Sequence, residues 1–271
     1  MKLNIQACSD KGRERKQNED MLSVNGSLCR DAETEVFPVI IPDTETFHLL
    51  VADGMGGHDR GEVASKELLE SIDAFMTSAT FESTDEFISA FRNLVAEVST
   101  TFNGREVQEA GSAVMGCTLS GVIWYRGRIL LVNSGDSRTY RYRNGRLTQL
   151  TTDDTERGIT GNADDRRLLL ACIGGGSKGS VTLEDISERI MDDDMIVICS
   201  DGLTDEVDED EMEVILSDDY EPATGLVERA CDNGGHDNIS VIVALVGEGG
   251  FAPGLNDDDY IDDDGRFDAW V

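Results

Sequence analysis

Apolar residues run along the chain in short blocks, and several blocks stop on a carboxylate or a glycine. Phe47 to Ala52 ends at Asp53-Gly54-Met55-Gly56-Gly57-His58, and Met195 to Cys199 ends at Ser200-Asp201-Gly202. In reverse order, Gly234-Gly235-His236-Asp237-Asn238 leads into Ile239 to Val243. Short Val/Ile/Leu-rich blocks bounded by turn residues predict buried strands. Leu3 to Ala7 and Met21 to Val24 are further strand candidates, joined by the polar loop Ser9 to Asp20. Cys29 to Thr46 is polar and carries Pro38 and Pro42, which predicts a hairpin excursion.

Elsewhere the apolar spacing turns helical. Ala64, Leu68, Ile72 and Phe75 share one face, and Phe87, Phe91, Leu94, Val98 and Phe102 share another. The second helix opens on Ser83-Thr84-Asp85-Glu86, which has the form of a capping box. Aromatics at this spacing predict packing against a sheet. Cys117 to Trp124, Ile129 to Val132, Arg138 to Tyr142 and Leu147 to Leu150 predict an antiparallel meander, with turns at Arg126-Gly127 and Asn144-Gly145. Thr151 to Gly179 is glycine-rich and charged, so it reads as loop, with one helical turn near Arg166 to Ala171. Ile190 to Ser200 returns to strand. Asp208-Glu209-Asp210-Glu211 caps a short helix through Leu216, Pro222 to Asn233 is helical, and Ile239 to Val246 is the last strand. The pattern predicts an α+β domain of two packed sheets flanked by helices over residues 1–246. Residues 247–271, rich in Gly and Asp, read as an appended acidic tail.

Charge narrows the function classes. The formal net charge of −32 opposes any nucleic-acid-binding surface, because phosphate backbones demand the opposite sign. Lysine is confined to Lys2, Lys11, Lys16, Lys66 and Lys178. Such acidity fits a salt-rich cytoplasm, a basic substrate or simple solubility, and the first is favoured. Cys8, Cys29, Cys117, Cys172, Cys199 and Cys231 form no CxxC pair and read as reduced packing residues. No charge-free run reaches membrane-spanning length, and Met1-Lys2-Leu3-Asn4 does not open a signal peptide, so a soluble cytoplasmic protein is expected.

The chemistry lies at the strand ends. If the strands run antiparallel, the ends of two and the start of a third fall on one edge of the sheet, and Asp53, Asp201 and Asp237 converge. Asp-Gly is also a common hairpin turn, and any one of these acids alone reads as that. Three together repel unless cations hold them, which points to a divalent-metal centre. Carboxylates without Cys or His ligands suit Mg²⁺ or Mn²⁺ rather than Zn²⁺; His58 and His236 read as turn residues or supports. Two ions sharing a bridging Asp, about 3.5–4 Å apart, would activate a water for in-line attack on a phosphate ester. Arg15, on the loop before Asn18-Glu19-Asp20, is the candidate grip on the phosphate, although alone it reads as a solvated charge.

The ordered blocks Arg15-x-x-Asn18-Glu19-Asp20, Asp53-Gly54-Met55-Gly56-Gly57-His58 with Gly61-Glu62-x-Ala64-Ser65, Gly116-Cys117-Thr118-Leu119, Gly135-Asp136-Ser137-Arg138, Ser200-Asp201-Gly202-Leu203 and Asp237-Asn238-x-Ser240-Val241 span Ile5 to Leu245. This series resembles the metal-dependent serine/threonine protein phosphatases of type 2C (PPM), in their bacterial form. The resemblance implies a four-layer α-β-β-α sandwich with two mostly antiparallel sheets. It implies that Asp53 bridges two ions, that the Gly54 carbonyl binds one, and that Asp201 and Asp237 hold the other. Glu19 and Asp20 would orient water around them, Arg15 would clamp the phosphate, and Asp136 would serve a third, weaker ion. The implied cofactor is Mn²⁺ or Mg²⁺. The implied partner is a phosphorylated protein whose Ser/Thr kinase the enzyme opposes, with the phosphatase working as a monomer. Met55 departs from the His that animal relatives carry as proposed general acid, Asp153-Asp154-Thr155 departs from Asp-His-Ser/Thr, and the flap up to Ile173-Gly174 looks shortened. A catalytically silent module on the same fold is the alternative; a Ca²⁺-binding structural protein lacks an EF-hand-like loop.

Overall fold

A computed structural model of the chain describes residues 1–42, 45–56, 60–78, 80–108, 115–160 and 169–251. Seven strands come first: β1 (Lys2–Asp10), β2 (Met21–Val24), β3 (Ser27–Cys29), β4 (Ala32–Glu33), β5 (Phe37–Ile40), β6 (Thr46–Ala52) and β7 (Gly54–Met55). Helices α1 (Arg60–Ser78) and α2 (Thr84–Gln108) follow. Then come β8 (Gly116–Cys117), β9 (Leu119–Tyr125), β10 (Arg128–Ser134), β11 (Arg138–Arg143) and β12 (Arg146–Gln149). The remainder is α3 (Glu156–Thr160), β13 (Ile173–Gly174), β14 (Thr182–Asp185), β15 (Met195–Cys199), α4 (Asp201–Thr204), α5 (Glu209–Asp218), α6 (Pro222–Asn233) and β16 (Ile239–Val246).

Two large antiparallel sheets form. One runs β12-β11-β15-β16-β1-β4, with β5 also on β1; the other runs β14-β10-β9-β6-β2-β3. Period-2 alternation explains how they stack. Leu49 and Val51 of β6 point into the space between the sheets, where they meet Ile5, Val122, Ile196, Ile198 and Ile242. Leu50 points the other way, into a cluster with Leu68 and Ile72 of α1 and Phe87 and Phe91 of α2. On the far side, Tyr140, Val197 and Val243 pack against Met212 and Leu216 of α5 and Leu226 of α6. The layers are therefore helix, sheet, sheet, helix, the expected α+β sandwich.

The helix caps use the residues expected of them. Ser83 Oγ accepts from the Glu86 N–H at 3.2 Å, while the Glu86 carboxylate reaches the Glu82 N–H at 3.0 Å, one residue short of a closed box. Asp208 accepts from the Glu211 N–H at 2.9 Å. The strand expected over Ile190 to Ser200 is shortened to β15, because Asp193 takes a φ of 70° and the Asp194 carboxylate accepts from the Met191 N–H, making a turn before it.

The meander is corrected. β9 pairs with β10 and β11 pairs with β12, but the two hairpins lie in different sheets. The chain crosses over at Gly135, whose φ of 113° excludes most side chains and whose added Cβ would lie 2.7 Å from Thr118 Cγ2. Alternation reports which face is buried, not which sheet a strand joins. The excursion from Cys29 to Thr46 also differs: β4 and β5 pair not with each other but with β1. Edge strand β14 and short helix α3 were not expected; β14 turns only Leu183 inward. The helical turn expected near Arg166 falls largely outside the described residues, as do Gly57, His58 and the chain beyond 251. Phe251 is buried, 4 % exposed, within the α5–α6 cluster.

Candidate active site

Register places the acids. Met21 pairs with Ala52, so Asp20 and Asp53 each lie one residue beyond the end of that ladder. Arg138 pairs with Cys199, so Asp136 and Asp201 each lie two residues beyond theirs. Cys199 pairs with Val241, and the Ser200 N–H donates to the Ser240 carbonyl at 3.1 Å, carrying that ladder toward Asp201 and Asp237. All of these strand ends open on the same edge of the sandwich. The acids were expected on the edge of one sheet; instead Asp20 and Asp53 come from the six-stranded sheet, and Asp136, Asp201 and Asp237 flank strands of the other or the crossover into it.

Backbone approach locks the segments together. A Cβ at Gly54 would lie 2.2 Å from the Gly61 carbonyl oxygen and 2.5 Å from that of Glu19, so only glycine permits the contact. Asn238 joins the polar loop to β16: its Oδ1 accepts from the Glu19 N–H at 2.8 Å, and its Nδ2 donates to the carbonyls of Lys11 and Gln17, both at 2.9 Å. Asn18 Nδ2 donates to Ser9 Oγ at 3.0 Å and to Asp31 Oδ1 at 2.9 Å, while its Oδ1 accepts from the Asp20 N–H. Asn18 and Asn238 had no assigned role beyond their motifs. Their place beside acids at strand ends was the available signal.

The electrostatics are those of crowded acids. Burial, opposed by the Ser200 and Ser240 hydroxyls and reinforced by Asp201 and Asp237, raises Asp20 to about 7. Burial and then Asp201 raise Asp136 to about 7. Burial and the charges of Asp20, Asp201, Asp136 and Asp237 hold Asp53 well above the usual carboxylate range. Arg15 Nη2 pairs with Asp237 Oδ2 at 2.5 Å. Burial works to lower the Arg15 guanidinium, but Asp237, Asp53 and Glu19 leave it above its ordinary value. Arg15, Gly202, Thr204, Glu206, His236 and Asp237 line a cavity of about 530 Å³. His236 is exposed, and its Nδ1 meets Glu206 Oε1 at 2.5 Å. The departing Asp153-Asp154 pair is engaged too. Asp153 takes Arg138 through both oxygens, at 2.9 and 2.7 Å, and Asp154 Oδ2 accepts from the Gly135 N–H at 3.0 Å.

The residues fit a hard divalent cation. Asp20 Oδ1 is buried and has no hydrogen-bond partner among the described residues, although its Oδ2 accepts from Ser200 Oγ at 2.7 Å. A buried, unpaired carboxylate oxygen beside three or four further acids is stabilised by positive charge. The donor set is all oxygen, as Mg²⁺ and Mn²⁺ prefer. Among the described residues no three His, Cys, Asp or Glu side chains already form a closed cage, and the Asp237 carboxylate is turned to Arg15.

A model of the protein phosphatase 2C family matches residues 21–227, and the chain belongs to that family. The serine/threonine phosphatase stp of Listeria monocytogenes serovar 1/2a is 32 % identical over 256 residues, covering 89 % of this chain and 95 % of that protein. The serine/threonine protein phosphatase PstP of Mycobacterium tuberculosis is also 32 % identical, over 90 % of this chain but 45 % of its own length. The crystal structure of the PstP catalytic domain in complex with two manganese ions superposes with a TM-score of 0.69 at 28 % identity, covering 91 % of this chain and all of that one. The serine/threonine phosphatase of S. agalactiae, with a TM-score of 0.72 at 20 % identity, shares the fold.

Proposed function

We infer that the chain is a metal-dependent protein-serine/threonine phosphatase, a phosphoric monoester hydrolase acting on phosphoserine and phosphothreonine. The observation that carries this reading is the gathering of five acids from both sheets at one edge, with Arg15 paired to one of them. Asp53, the Gly54 carbonyl, Asp201 and Asp237 would hold two ions, Mn²⁺ or Mg²⁺, with Glu19 and Asp20 turned to their waters and Asp136 serving a third. Such ions, when bound, lower the pKa of water and neutralise phosphoryl oxygens.

The chain's own groups do the rest. Arg15 offers a planar pair of N–H donors to non-bridging phosphate oxygens, a geometry that a lysine cannot match. Asp20 keeps Oδ2 tied to Ser200, and its Oδ1, without a hydrogen-bond partner among the described residues, can accept and aim a water proton. Asp53 and Asp237 set the position of the attacking water, and attack in line on phosphorus leaves no covalent enzyme intermediate. Met55 carries no exchangeable proton, so the departing serine or threonine oxygen takes its proton from water. The PstP complex with two manganese ions supports the ion class. Phosphorylated proteins are the substrates, a Ser/Thr kinase supplies them, and the enzyme works as a cytoplasmic monomer. No described helix is long and apolar enough to cross a membrane.

Hydrolysis of a small aryl phosphate and of a phosphothreonine peptide, with Mn²⁺ and then with EDTA, tests the reading. Turnover with Mn²⁺ that EDTA removes is expected. A folded chain that turns over neither compound across a range of metal and salt would favour the silent module.

A further inference from the structure

Arg30 has no part in the site as assigned, yet it touches the segment that carries two of its acids. The residue sits between β3 and β4, in the excursion that returns to β1. Its side chain is 14 % exposed. The guanidinium makes four hydrogen bonds. Nε donates to the Asp20 carbonyl at 2.7 Å, and Nη1 donates to Glu62 Oε1 at 2.7 Å. Nη2 donates to the Glu62 carbonyl at 3.0 Å and to Ser65 Oγ at 3.1 Å. Ser65 Oγ in turn donates to the Glu19 carbonyl at 2.6 Å. The next residue, Asp31, accepts from Asn18 Nδ2.

We propose that Arg30 is a positioning residue for the metal centre: it fixes the Glu19–Asp20 backbone against the first turns of α1 and so sets where both carboxylates point. The inference rests on the metal-centre reading above. Three features separate it from an ordinary ion pair. Arg30 grips the main chain of Asp20 rather than its carboxylate, whose Oδ1 stays open to a cation or its water. Through Ser65 the same guanidinium also reaches Glu19, so one side chain orients two consecutive acids. The Gly54–Gly61–Glu19 contact lies in the same place, so a shift of the Glu19 backbone would displace the Gly54 carbonyl as well. Groups that orient metal ligands act on affinity even when they never touch the ion. A fork of donors in fixed directions is what this task needs; an ammonium keeps the charge and loses the directions.

The test is equilibrium Mn²⁺ binding by the full chain, read from the electron-paramagnetic-resonance signal of free Mn²⁺, with no substrate present. Arg30→Lys and Arg30→Ala are compared with Arg128→Ala, which breaks an exposed pair with Asp185 at the other end of β10. The Arg30 variants are expected to bind Mn²⁺ about 10-fold or more weakly, the usual effect of losing a group that supports a ligand. Arg128→Ala should bind as the unaltered chain does. A change that only loosened the fold would lower the melting temperature of Arg30→Lys and leave its Mn²⁺ affinity in place. If Arg30→Ala fails to fold, Arg30→Lys decides. Unchanged affinity in a folded Arg30→Lys overturns the proposal while the metal centre stands. If the unaltered chain binds no Mn²⁺, the metal-centre reading falls and this inference falls with it.

Discussion

Ser200 Oγ donates a 2.7 Å hydrogen bond to Oδ2 of Asp20, and the two residues flank strands of different sheets, β15 and β2. The same oxygen accepts from the Ser240 N–H at 3.0 Å. Ser200→Ala strips one partner from a buried carboxyl and another from a backbone donor. It should cost about 1–3 kcal/mol of stability, the usual penalty for leaving buried polar groups unpaired. Urea unfolding measures this, and a midpoint equal to that of the unaltered chain would show that the bond contributes nothing.

Arg15→Ala should weaken substrate binding rather than the fold, since the side chain is half exposed. Loss of a charge-assisted bond to phosphate predicts a kcat/KM lower by about 1.5–3 kcal/mol, carried chiefly by KM. Asp53→Asn in parallel should abolish metal-dependent turnover without unfolding the chain. Near-normal steady-state kinetics for Arg15→Ala would mean that another group grips the phosphate.

Alkaline pH should weaken the fold through Cys8. Burial, aided by Glu33, Cys29 and Asp10, pushes its thiol up to about 12. In the unfolded chain a thiol ionises near ~8.5, so above that pH the folded state holds a proton that the unfolded state has lost. Stability then falls as pH rises, from about 9 toward 12, and is complete below that window. Cys8→Ala should show a shallower decline in stability between pH 9 and 11 by urea unfolding. Parallel slopes would exclude Cys8 as the cause.

The charge of −32 predicts a response to salt. Ions screen carboxylate repulsion within a Debye length of about 3 Å at 1 M. The melting temperature should rise with KCl into the molar range. A flat or falling curve would leave solubility or a basic partner as the reason for the acidity.

The folded unit is proposed to end at Phe251 rather than at residue 246. Burial of a phenylalanine contributes about 1.5–3 kcal/mol, so Phe251→Ala should lower stability by that order. A chain ending at Gly250 should melt below one ending at Ala252, and both should stay active on a small ester. Equal melting temperatures would restore the boundary at 246.

Much of this was legible from residue order. Asp53, Asp201 and Asp237 stood out because each sits at the edge of an apolar strand, the first two followed directly by glycine, a local pattern. Pro222 to Asn233 was legible to the residue because proline opens the helix and Gly234 closes it. What escaped depends on which strands share a sheet. The pairing of Ser200 with Asp20 requires knowing that β15 and β2 lie in facing sheets, and the crossover at Gly135 that β10 and β11 part company; alternation carries neither. Arg30 escaped for a different reason: on a polar excursion it looks like any solvated charge until α1 is placed beside it. Phe251 escaped because one aromatic among glycines leaves no periodic trace.

The pairing of β1 with β16, from Leu3 against Val246 to Asp10 against Ile239, has a consequence for biosynthesis. Strand β1 waits for β16, which is made more than two hundred residues later, and only their meeting completes the seven-stranded sheet. Asp237 and Asn238 head β16, so the acid cluster and the brace on Glu19 form in the same event. A nascent chain cannot become an active phosphatase early, and a truncated one would carry neither half of the site in working order. Contacts this distant in sequence also make assembly slow. Any destabilised variant would therefore show its defect first as poor yield of active enzyme during synthesis.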